Sequence, residues 1–363
     1  MLNKMKGLSF WRVFLVAMVL AGATAYIVDR LLGYPLHLSE EFPWDVSATL
    51  NIFCGLSLAA GGMTIAAVLA VLELSEYQLL RRSSLLIAYL GFLSALSTSI
   101  LRYRLDWRNI WNLWSPHSIP AGAGFALLLY SAVVFDNIFS ASKGDFLRRP
   151  AIRYIVMLLT CIAAFLAGLQ ESAFLNVMAL APDQFSPMWV TSMLPVNMFL
   201  SGVSACLALS IMAVLSFGRS NVECFSAEPL HAASAALRVV LIVTIGIRML
   251  ELTDVHQWHN LANNHLYGYL FGLELILFLT PALFLLNARE REYKLLHECS
   301  VMVVAGFLTN RLNTAITSRE VVTGLSFRPS LSDMTFAVAV ISLATAGFIF
   351  TIRRHLETNP RNL

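Results

Sequence analysis

The sequence predicts an all-α integral membrane protein with about ten transmembrane helices, and three observations carry that prediction. Apolar residues fill 58% of the 363 positions and charged residues only 13%. That is too little charge to cover the surface of a soluble domain of this size. The apolar residues also cluster in stretches near or above the roughly 20 residues needed to cross a bilayer. Finally, the connections are short and rich in Pro, Asn, Ser and charge, so residues 1–363 read as a single polytopic transmembrane domain. The net charge of +3 is too small to suggest nucleic acid.

In chain order, helices are predicted over 10–28, 47–72, 84–101, 118–138, 151–169, 189–215, 234–253, 266–287, 298–314 and 333–352. The first follows Lys4, Lys6 and Arg12, as the core of a signal peptide would. It nevertheless runs to Val28 with no clear small-x-small cleavage site before Asp29-Arg30, which reads as a retained helix. The second contains Cys54-Gly55-Leu56-Ser57-Leu58-Ala59-Ala60-Gly61-Gly62. Small residues at such spacing let helix backbones approach closely, so this is a packing signal rather than a phosphate loop. Pro195 and Pro281 lie within or near apolar spans, where membrane helices tolerate kinks.

Ten spans put both termini on one side. That side would carry sixteen Lys and Arg residues, including Lys4, Lys6, Arg81, Arg82, Arg148, Arg149, Arg353 and Arg354, against seven on the other. The positive-inside rule then places both termini in the cytoplasm. Six of the seven exceptions, Arg102, Arg104, Arg108, Arg311, Arg319 and Arg328, fall in the predicted 3–4 and 9–10 connections and suggest a docking surface there.

Charges inside a membrane are costly and mark partners or pathways. Helix 7 holds Arg248 and Glu251 at i,i+3, where they can pair. Glu274 in helix 8 lies roughly 12 Å below its helix end, within reach of Arg248. Other polar residues are predicted at the outer helix ends. Asp45 opens helix 2, and Arg102 closes helix 3. His117 opens helix 4, Gln170 and Glu171 close helix 5, and Arg311 and Asn313 close helix 9. Trp107, Trp111 and Trp114 are expected in an interfacial aromatic belt. All eight histidines fall in loops or at helix ends, and the five cysteines form no CxxC. The chain is therefore expected to hold no haem, iron–sulfur cluster or metal of its own.

Taken in order, several segments resemble the NrfD-like (polysulfide reductase membrane subunit) family, in its HybB-type hydrogenase branch. They are Phe42-Pro43-Trp44 before the glycine-rich helix, Trp107-Arg108 to Pro116-His117-Ser118, and Gln170-x-Ser172. They continue with Ala181-Pro182, Ser186-Pro187-Met188-Trp189, Leu194-Pro195, Arg248-Met249-Leu250-Glu251, Glu274 with Pro281, Arg311-Leu312-Asn313 and Phe327-Arg328-Pro329-Ser330. The resemblance spans nearly the whole chain. It implies two four-helix bundles plus extra helices in a bacterial inner (cytoplasmic) membrane. It also implies a quinone site near the outer face, where menaquinone or ubiquinone is the substrate. The implied partners are a periplasmic ferredoxin-like iron–sulfur subunit and a catalytic or multihaem cytochrome subunit. The chain departs from the branch pattern at Asp45, at Ile119-Pro120-Ala121-Gly122 and at Leu169-Gln170-Glu171-Ser172.

The candidates for quinone and proton handling are Arg102, His117, Gln170, Glu171, Arg248, Glu251, Glu274 and Arg311. A purely structural anchor and an ion-coupled secondary transporter are the alternatives, although no broken-helix pair or inverted repeat is evident for the latter.

Overall fold

The computed structural model describes residues 2–32, 42, 44–74, 77–102, 122–139, 150–179, 182–218, 228–253, 265–287 and 293–358. The fold is all-helical, with ten main helices among these residues. They are α1 (Leu2–Leu32), α2 (a π-helical turn Ala48–Phe53 leading into Cys54–Val71), α3 (Gln78–Leu101), α4 (Ala123–Phe139) and α5 (Pro150–Ala179). These are followed by α6 (Leu194–Gly218), α7 (Glu228–Glu251), α8 (His265–Asn287), α9 (Tyr293–Leu312) and α10 (Leu331–Thr358). Seven are long and apolar enough to cross a membrane: α2, α3, α5, α6, α7, α8 and α10.

The centre of the bundle is α2. In its spanning segment 83% of the residues are buried, against 28% in the spans of α5, α7 and α10. Small residues make this possible. A Cβ added to Gly61 would lie 2.5 Å from the carbonyl carbon of Gly202, and one added to Gly55 would lie 2.4 Å from the Gly91 oxygen. The backbones of α6 and α3 thus touch α2 directly, as the small-residue pattern predicts. On the outside, α1 packs along α10.

Among the predicted boundaries that move, three do so for a physical reason the sequence itself supplies. The fifth helix does not stop at residue 169 but runs to Ala179. Nothing in Gln170-Glu171-Ser172 breaks a helix, and apolar residues resume at Phe174, Leu175 and Met178, all buried. The ninth helix does not stop at 314. It passes through a π-helical turn, Asn313–Thr317, into Ser318–Thr323, and ends at Gly324 with φ +68°, the left-handed closing position that glycine favours. The sixth starts later than predicted, at Leu194. Pro195 therefore sits in its first turn, where a missing N–H costs nothing and no kink arises.

Candidate functional site

Two buried charge clusters lie at the end of the bundle where α3, α5 and α7 finish. The smaller holds Arg102, which closes α3. Its Nε lies 3.2 Å from Asp45 Oδ2, and its guanidinium also pairs with Asp333. The other Asp45 oxygen accepts from Ser47 Oγ and the Ala48 N–H, both at 2.7 Å, and so caps the start of α2. Ser330 Oγ accepts from the Asp333 N–H at 3.0 Å at the start of α10. This cluster ties three helix ends together.

The larger cluster is a chain across six helices. Within α7, Arg248 Nη1 donates to Glu251 Oε2 at 2.9 Å. Across to α8, Arg248 Nη2 donates to Glu274 Oε1 at 3.1 Å. Glu274 also accepts from Asn310 Nδ2 at 2.8 Å and Asn313 Nδ2 at 3.1 Å, both on α9 and its continuation, and from Trp189 Nε1 at 3.3 Å. Next, Arg311 donates to Asn310 Oδ1, to Ser201 Oγ at 3.1 Å and to the Met198 carbonyl at 2.9 Å. Its Nη2 reaches Ser57 Oγ on α2 at 2.8 Å, and that hydroxyl donates to Glu171 Oε1 on α5. Beside Glu171, Gln170 Oε1 accepts from Tyr130 Oη at 3.1 Å.

Burial explains why so many donors converge. Arg311 is fully buried, and Arg248, Glu171 and Glu274 are nearly so. An ion taken out of water must recover its lost hydration from fixed partners. Arg311 also lies 4.4 Å from the Phe307 ring centroid and Arg248 5.4 Å from that of Phe271, both within cation–π range. Within this network Glu171 Oε2 and Arg311 Nε have no hydrogen-bond partner among the described residues.

Five of the eight predicted residues thus meet in one network, Glu171, Arg248, Glu251, Glu274 and Arg311, while Gln170 lies next to Glu171 in α5 and is hydrogen-bonded to Tyr130. Arg102 belongs to the separate clamp, and His117 lies outside the described residues, as do Trp107, Trp111 and Trp114. Neither Arg311 nor Glu171 closes its helix; both sit inside helices that run on. The docking surface expected from loop arginines is also revised. Arg102, Arg311 and Arg319 are buried, and Arg319 donates to the Gln184 carbonyl at 2.9 Å. Arg328 stays exposed, while Arg104 and Arg108 lie outside the described residues.

Sequence reasoning missed Asn310, Ser57 and Trp189. Asn310 stood visible beside Arg311. Ser57 was hidden in a helix that reads as pure packing, and Trp189, in the turn before α6, at the start of a segment that reads as an apolar helix.

This is a polytopic, all-helical membrane protein with a charged, hydrogen-bonded chain buried between its helices. No family model matches it. A protein of Nitratidesulfovibrio vulgaris (strain Hildenborough) is 25% identical over 304 residues, 78% of this chain and 77% of the relative. The probable Ni/Fe-hydrogenase 2 b-type cytochrome subunit of Escherichia coli (strain K12) is 21% identical over 349 residues, 90% of this chain and 87% of the relative.

The second relative overturns one expectation. A b-type cytochrome holds haem, so the reading of this chain as one without haem of its own does not stand. The described residues do not themselves supply a mid-helix pair of axial histidines. Of the histidines in the described helices, His231, His265 and His297 lie near helix starts and His355 near the end of α10. His37, His117, His256 and His259 lie outside the described residues.

Proposed function

We propose that this chain is the quinone-interacting membrane subunit of a respiratory oxidoreductase, of the NrfD-like family and its HybB-type branch. It exchanges electrons between the membrane pool of menaquinone or ubiquinone and a periplasmic ferredoxin-like iron–sulfur partner. A catalytic or multihaem cytochrome subunit completes the complex. The likeness to a hydrogenase b-type cytochrome subunit supports this reading. The observation that carries it is the buried chain from Glu251 through Arg248, Glu274, Asn310, Arg311 and Ser57 to Glu171.

Reducing a quinone to a quinol takes up two electrons and two protons, so a site within the bilayer needs polar groups that accept, hold and pass protons. Glu251, on the last residue of α7, stands where protons enter. Arg248 and Glu274 hold the charge in place, and the Arg311–Ser57–Glu171 link carries the path to α5 and the Gln170–Tyr130 pair.

Both termini face the cytoplasm in this reading. The burial of Arg102, Arg311 and Arg319 favours it, because these arginines are helix-packing groups and not loop charges that oppose the positive-inside rule. Reporter fusions should accordingly place Arg361 inside and Arg328 outside; the reverse labelling would turn the site to the cytoplasm.

The test of function uses the assembled complex in liposomes. Ser57→Ala removes the hydroxyl between Arg311 and Glu171 and leaves both charges. Quinone-linked turnover should fall at least tenfold, while electron transfer from the partner subunits to an artificial acceptor persists. Unchanged quinone turnover in a fully assembled variant would show that the chain of charges is structural.

A further inference from the structure

A cavity of about 320 Å³ lies between α2, α3, α6, α9 and α10. Its wall is almost wholly hydrocarbon: Leu58, Ile87, Leu90, Leu209, Phe307 and Ile341 are typical. The two hydroxyls in the wall are already engaged. Thr345 Oγ1 donates to the Ile341 carbonyl of its own helix at 2.8 Å, and Ser94 Oγ lies 3.5 Å from Asn51 Oδ1. Close-packed interiors hold few voids larger than a water molecule, and this one is of the size of a ligand pocket. A water inside it would find almost no partners.

The α10 wall, Ile341, Ala344, Thr345 and Phe348, lies near the middle of that helix, at the depth of lipid tails if α10 crosses the bilayer. Ile341 and Thr345 are exposed on the outer surface as well as lining the cavity, so the wall is open toward the surrounding hydrocarbon. On the inner side the wall includes Gly55 and Gly91, where α2 and α3 cross in backbone contact. Phe307 forms another wall, and Arg311 stands over its ring.

We propose that this cavity binds an aliphatic chain of a membrane lipid, which enters between α9 and α10 and packs against the α2–α3 crossing. The chemistry needed is a long hydrocarbon chain without polar groups, whether an acyl chain or an isoprenoid tail. The inference does not depend on the quinone reading, since any lipid with such a chain suffices.

Photolabelling in phosphatidylcholine vesicles tests it. One arm uses a phospholipid with a diazirine at mid-chain, the other an isoprenoid quinone with a diazirine on its tail. At least one probe should label cavity residues such as Leu308 or Ala344 saturably, with unlabelled lipid of the same class competing. The arm that does so identifies the source. Ala344→Phe should abolish this labelling, whereas Leu343→Phe, which alters an exposed neighbour outside the cavity wall, should leave it intact. If both probes label only outward residues such as Leu343 and Phe350, or label the wall without saturation, the proposal fails. Unchanged labelling in a folded Ala344→Phe variant also overturns it. Should that variant not fold, the saturation measurement on the unmodified protein decides alone.

Discussion

The two buried charge clusters are built from similar parts and differ in what they join. The Arg102 clamp sits where three helices begin or end, and it pairs its guanidinium with two carboxylates. The Arg248–Glu171 chain runs through helix interiors, links six helices and stops on a carboxylate oxygen, Glu171 Oε2, that has no hydrogen-bond partner among the described residues. A buried ion pair is weak evidence for stability gained, since desolvation offsets the attraction. What separates the clusters is therefore charge pairing: each charge of the clamp faces an opposite charge, and the chain ends on a Glu171 oxygen without a hydrogen-bond partner among the described residues. The first reads as architecture, the second as a path.

The comparison breaks most visibly at Glu274, which gathers Arg248, Asn310, Asn313 and Trp189. Glu274→Leu leaves Arg248 with Glu251 alone and strands the Asn310, Asn313 and Trp189 donors, and should cost about 3–5 kcal/mol of stability, seen as lost folded yield and a lower Tm in detergent. Adding Arg248→Met should recover much of the yield. If quinone turnover recovers with it, the chain is no more functional than the clamp.

A smaller effect is expected at the clamp itself. Asp333→Asn keeps the shape and removes one charge from Arg102. A loss of about 1–3 kcal/mol is expected, with quinone turnover per folded complex unchanged. Turnover falling further than the folded fraction would move Arg102 from architecture into the site.

The smallest expected change concerns the exposed Arg328 between α9 and α10. Arg328→Glu should leave Tm unaltered and slow association with the partner subunit, most at low salt, because exposed charges act chiefly on encounter. Equal association rates at all ionic strengths would remove this connection from the docking surface.

The spans were legible in the sequence because lipid acts on each residue locally: a stretch of apolar side chains is favourable in hydrocarbon whatever its neighbours are. The intramembrane charges were legible for the same reason, as costly exceptions to that pattern. Their positions along the helices were less so. The predicted ends at residues 169 and 314 placed Glu171 and Arg311 at helix termini, because a polar residue and a helix end look alike when its partner is unknown.

Composition and pattern alone thus determined that this chain is an all-helical membrane protein, and that Arg248, Glu251 and Glu274 form a group. Only the tertiary structure decided that Arg311 joins that group through Asn310, that Ser57 carries it on to Glu171, and that Arg102 stands apart. Hydropathy is a property of one helix in its solvent. Which buried charges meet depends on how each helix is rotated and on which small residues let its neighbours approach, and packing among all the helices sets both.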